Sequence, residues 1–214
     1  MNNFEFFRPS VATASVLAVT LAMSVGCNKH VDNTIHFTDA INTYYAAHPV
    51  CLWQSSMKFP AQADTKDTSK TAGFDALVDQ GMLSRTTAEK KVMIVASKQV
   101  TNYDLSDQGR SAWVADVDMP GSGNFCYGHR KVSTIDSSTP ASSERGATTQ
   151  VAYHYTLADA AAWATAEETQ NAFPQIRQNL SGPQTGTATL IETNEGWKMA
   201  QPGPPAPATT PAAQ

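Results

Sequence analysis

Thr148-Thr-Gln-Val-Ala-Tyr-His-Tyr-Thr-Leu157 alternates apolar and polar residues more strictly than any other stretch of the chain. Val151, Tyr153, Tyr155 and Leu157 fall on one face, with Ala152, His154 and Thr156 on the other. A period of two is the mark of a β-strand with one buried face. Such a strand needs neighbours, and the flanking sequence offers them. Upstream, Asn124 to Ile135 reads as a strand through Phe125-Cys-Tyr127 and Val132. A polar, Pro-containing hairpin loop, Asp136 to Arg145, separates the two. Downstream, Thr187 to Thr193, the turn Asn194-Glu-Gly196 and Trp197-Lys-Met199 form a final hairpin. Asp159 is placed to cap one alanine-rich covering helix running to about Asn171, with Trp163 and Ala166 inward.

The N-terminal half reads differently. Phe37, Ile41, Tyr44, Tyr45 and His48 share one face of a helix that Pro49 ends. Val50 to Trp53 is a short buried strand, and Ser55 to Lys70 a loop. A second helix spans Ala72 to Gln80, with Gly81 as a left-handed C-cap. Thr86 to Lys91 reads as one further helical turn, Val92 to Ala96 as a strand and Val100 to Leu105 as its partner. The fold class is therefore α+β, N-terminal helices with a small β element followed by a mostly antiparallel sheet under one covering helix. Residues 34–199 form a single globular domain, with a possible sub-boundary near 115–122.

Two stretches carry family resemblances. Val11 to Val25 is uncharged and largely apolar, and Gly26-Cys27 follows, so that the run closes on Met23-Ser-Val-Gly-Cys27. Together they resemble the export signal and lipobox of bacterial lipoproteins. The resemblance implies a signal peptide over 1–26, acylation of Cys27 and a lipidated tether over 27–33. It makes the lipid bilayer the first partner, since several acyl chains anchor a protein stably. Asn28 after the cysteine implies the outer membrane, at its periplasmic face. The same run also fits an uncleaved anchor helix or an ordinary cleaved signal, both of which export the chain. Residues 200–214 are rich in Pro and Ala and read as a disordered tail.

The second resemblance covers about 72–110. Leu77-Val-Asp-Gln-Gly81-Met-Leu83 and Tyr103-Asp-Leu-Ser-Asp-Gln-Gly109-Arg110 are similar to the winged-helix pattern. It implies a helix, a two-stranded wing and a turn. Winged helices bind DNA through a basic helix, whereas Ala72 to Leu83 has no Lys or Arg.

Composition narrows function further. The chain holds 15 bases against 19 acids, a net charge of −4, so it has no basic footprint for nucleic acid. Loss of Glu5 and Arg8 with a signal peptide leaves that charge unchanged. There are three cysteines. With Cys27 acylated, Cys51 and Cys126 are left to pair in an oxidising compartment. Two separate buried thiols are the alternative.

No catalytic constellation is evident. There is neither a Gly-x-Ser-x-Gly setting nor a phosphate-cradling glycine motif. Cys126 with His129 or His154 has the residue types of a thiol nucleophile and base, yet a disulfide accounts for Cys126 more simply. A zinc site from Cys126, His129, His154 and Asp116 or Asp118 lacks close paired ligand spacing. No metal or cofactor is expected. Asp116 and Asp118 share a face of an extended chain and are candidates, with His129 and His154, for binding a cation or sugar hydroxyl. Tyr44, Tyr45, Trp53, Trp113, Tyr127, Tyr153, Tyr155 and Trp197 either line a groove for a glycan or peptide or pack the core. The leading expectation is an envelope lipoprotein presenting a structural or binding domain to an envelope protein or glycan. A secreted hydrolase or cell-wall-modifying enzyme using Asp116, Asp118, His129 and His154 is the rival.

Overall fold

A long strand, β7 (Ser122–Ser138), runs through the centre of the larger sheet and pairs with four other strands. The structure is a computed structural model and describes residues 33–93 and 96–200, with the side chains of 92, 93 and 96 left aside. The segment read as an export signal, Cys27 and the Pro-rich stretch 200–214 lie outside the described residues, apart from Ala200.

Helix α1 (Thr34–Ala47) opens the described chain. It buries Phe37, Ala40, Ile41 and Tyr45, a spacing that makes one helical stripe. Next come three short strands, β1 (Val50–Cys51), β2 (Met57–Lys58) and β3 (Ala61–Asp64). Helix α2 (Thr68–Asp79) starts on the Asp67 side chain, which accepts from the Lys70 backbone N–H. It ends as expected at Gly81, whose φ of 71° lies in the left-handed region. There Met82 N–H donates to Leu77 and Gly81 N–H to Val78, closing a Schellman turn.

Strands β4 (Leu83–Met93) and β5 (Ala96–Leu105) form a hairpin, and β3 adds to the free edge of β5. The result is a three-stranded sheet in the order β3-β5-β4. Three expectations are corrected here. Thr86 to Lys91 is strand rather than a helical turn, because each residue pairs across to β5. Val92 to Ala96 is not one strand but spans the change from β4 to β5. Ser55 to Lys70 holds β2, β3 and the start of α2.

Helix α3 (Asp107–Ala112) leads to β6 (Trp113–Ala115), and a tight turn over 116–121 delivers the chain to β7. Strand β8 (Thr148–Ala158) pairs along β7, β9 (Gln184–Thr193) along β8, and β10 (Gly196–Met199) along β9. With β1, β2 and β6 also on β7, this is a seven-stranded sheet, and every pairing among the described residues is antiparallel. The protein is α+β. The single covering helix is corrected to three short ones, α4 (Ala162–Thr165), α5 (Glu167–Ala172) and α6 (Pro174–Leu180). Ala166 is extended between the first two, and Pro174 opens the third, where a missing N–H costs nothing. Asp159 caps none of them; it sits in a turn at φ 53°.

Two apolar clusters hold this arrangement. Leu52, Leu77, Met82, Tyr103, Phe125, Tyr127, Trp163 and Ile176 make the first, between α2, the small sheet and the short helices. Phe37, Ile41, Tyr45, Val132, Val151, Tyr153 and Leu190 make the second, beneath α1. Strand β7 supplies both. So does β8, whose Val151, Tyr153 and Tyr155 serve the second cluster while Leu157 packs against the first. Bulges in β7 near Ser133 and Asp136 increase the local twist that this change of cluster needs.

Candidate functional site

The expected disulfide is present. Cys51 on β1 stands directly opposite Cys126 on β7, with a Cα–Cα separation of 3.8 Å, and their sulfurs are bonded. Cys126 is therefore no free thiol, which removes it from any nucleophile or zinc set.

The four polar candidates occupy separate places. Asp116 builds the turn between β6 and β7. Its carboxylate accepts from the Ser56 hydroxyl, from Asp118 N–H at 2.8 Å and from Met119 N–H at 3.0 Å. Those bonds favour the charged form, with Ser56 the largest influence, and hold its carboxyl below the ordinary range. Asp118 contributes a backbone N–H to this turn and is exposed. His129 stands opposite Ala158, with Nδ1 3.5 Å from Asp159. His154 stands opposite Thr134, with Nδ1 2.8 Å from Asp136. Four residues of β8 part the two histidines, about 13 Å of strand. Asp116 joins β7 at Ser122, roughly 20 Å of strand from His129. The structure brings each histidine to one carboxylate, and does not bring the four candidates together. Among the described residues, no three His, Cys, Asp or Glu side chains are grouped to hold a metal.

The aromatic residues divide by position. Trp53, Trp113 and Tyr127 pack in or against the first cluster, and Trp197 meets Phe37 edge-on at 5.2 Å. Tyr44, Tyr45, Tyr153 and Tyr155 gather instead where the C-terminal turn of α1 crosses β7 and β8. Tyr45 and Tyr153 share a buried hydroxyl–hydroxyl hydrogen bond of 2.6 Å. Tyr155 donates to the Gln184 side chain at 3.0 Å. Tyr44 stacks on His48 at 4.0 Å.

Arg130 completes this group. Its guanidinium carbon is 5.3 Å from the Tyr45 ring centroid and 5.2 Å from that of Tyr155. The two rings are 6.3 Å apart, so the cation sits at nearly equal distances from both. Arg130 is half-buried. Burial works against its charge, yet the neighbouring Tyr45, Tyr155 and Tyr153 outweigh it, and its pKa lies above the ordinary value. Among the described residues no carboxylate pairs with it. Sequence reasoning selected the tyrosines and passed over Arg130. The available cue was its place two residues before Val132, which puts a cation on the apolar face of a strand.

The chain matches no protein family, no curated protein and no solved structure in comparisons with known proteins. Among the described residues, no helix is long and apolar enough to cross a membrane.

Proposed function

We infer that this protein is an envelope lipoprotein, acylated at Cys27 and anchored at the periplasmic face of the outer membrane, whose folded domain does structural or binding work. The disulfide between Cys51 and Cys126 is the observation that carries the reading, since such bonds persist in exported proteins and are rare in the cytosol. The lipobox-like run ending at Gly26-Cys27 supplies the means of attachment. A net charge of −4 keeps nucleic acid out of the reading. Separation of Asp116 and Asp118 from His129 and His154 favours a binding role over the hydrolase alternative. The Pro-rich tail adds reach toward an envelope protein or glycan partner.

Mass spectrometry of the mature N-terminus tests the anchoring directly. A diacylglyceryl, N-acylated Cys27 is the expected result, together with release from membranes in the Cys27→Ser variant. A mature chain starting elsewhere, or an unmodified Cys27, overturns it.

A further inference from the structure

We propose that Arg130 is the anchor of an oxyanion-binding site, formed where the C-terminal turn of α1 meets β7 and β8, and that it takes a carboxylate or phosphate group flanked by Tyr45 and Tyr155. A half-buried guanidinium loses hydration that an acid normally replaces. The other arginines of the domain show the ordinary solutions. Arg85 pairs with Asp75 at 2.7 Å, Arg110 with Asp107 at 3.6 Å, and Arg177 bonds to Asn171. Arg145 is simply exposed to water.

Arg130 follows neither course. A guanidinium offers five N–H donors in a planar fork. Two tyrosine rings lie 5.3 and 5.2 Å from its guanidinium carbon, and neither a carboxylate nor a carbonyl takes up the fork among the described residues. Its donors match the two oxygens of a carboxylate or phosphate, which an Arg fork binds in bidentate fashion. The rings also hold the fork in place before a ligand arrives. Tyr45 is fixed to Tyr153 and Tyr155 to Gln184, so neither must be ordered on binding. This site does not depend on how the chain is anchored, and it stands or falls separately from Cys27.

The test uses the full mature chain and inorganic phosphate, at constant ionic strength set with chloride. Arginine Nε–H resonances are followed by ¹⁵N-resolved NMR, with Arg145 as the internal control. Arg130 is expected to shift and saturate in the low-millimolar range, about tenfold tighter than any response at Arg145. Acetate in place of phosphate is expected to shift the same resonance. The backbone amide of residue 130 is followed alongside, and in the Arg130→Lys variant, which keeps the charge without the fork, its saturable response is expected to be lost. Equal, non-saturating shifts at Arg130 and Arg145, or none at Arg130, would overturn the proposal. Because the wild-type titration carries the decision, it survives any folding defect in the variant.

Discussion

The hydroxyls of Tyr45 and Tyr153, 108 residues apart in sequence, meet at 2.6 Å inside the second apolar cluster. This bond ties α1 to the central sheet and fixes one of the two rings over which Arg130 lies. Removing one hydroxyl leaves the other buried without its partner. Tyr153→Phe is therefore expected to lower unfolding free energy by about 1 kcal/mol. Combining it with Tyr45→Phe removes both polar groups, so the double variant should lose less than the sum of the two. Urea denaturation across the double-mutant cycle measures the difference, and strict additivity would mean that the bond contributes nothing.

Tyr103 gives an alkaline signature. Burial, and then its hydrogen bond to Asp75 at 3.0 Å, push its phenol up to about 12. An unfolded tyrosine ionises near 10. Stability from this site is thus complete below about pH 10 and is lost as pH rises through 12. The denaturation midpoint should fall steeply between those values. In the Tyr103→Phe variant, that part of the slope should disappear.

The Cys51–Cys126 bond closes a loop with a sequence separation of 75. In the chain-entropy view a loop of this length contributes about 4 kcal/mol. The Cys51→Ala/Cys126→Ala double variant should melt well below the oxidised protein, and reductant should affect only the latter. Equal melting temperatures would remove the disulfide from the stability of the domain.

Gly109 is required by a close approach. A Cβ built there would lie 1.9 Å from the Met82 carbonyl oxygen, an atom of the backbone that cannot swing aside. Gly109→Ala should cost about 2 kcal/mol as α3 is pushed off the end of α2. A calorimetric scan showing an unchanged midpoint would contradict this packing.

Asp116→Ala should loosen the 116–121 turn, lowering the thermal midpoint at neutral pH. Its depressed carboxyl contributes above the ordinary carboxylate range and stops doing so as pH falls through the folded-state value. The gap between wild type and variant should therefore close in acid. A gap that is constant with pH would mean that the charged carboxylate is not what holds the turn.

Much of the architecture was legible because local rules sufficed. The stripe of α1, the glycine that ends α2 and the alternation of β8 each reflect one buried face or one backbone requirement. The stretch Tyr103 to Arg110 is explained residue by residue. Tyr103 reaches Asp75, Leu105 packs on the first cluster, Ser106 caps α3 and Gly109 clears Met82. Val100 to Leu105 of β5 was legible, whereas the polar part of strand β4 was not. From Ser84 to Lys91 its residues are almost all exposed on both faces, which leaves no period-two pattern to read. The alanine-rich segment misled for the opposite reason. Its alanines and glutamates favour helix, yet Ala166 is extended, between short helices that bury Trp163 and Ile176 in the first cluster.

The candidate site divides the same way. Sequence alone singled out the cysteines that pair, the tyrosines, and each of the four polar residues. It could not say that Asp116 is spent on its own turn, nor that His129 on β7 lies opposite Ala158, four residues along β8 from His154, because both facts depend on register. Nor could it find Arg130. A cation in a strand looks like any surface charge until a helix 85 residues upstream lays Tyr45 beneath it. What chain-local chemistry determined was which residues seek burial, caps or partners. The tertiary structure decided which of those needs are met within the protein, since only long-range pairing brings a distant group within bonding distance.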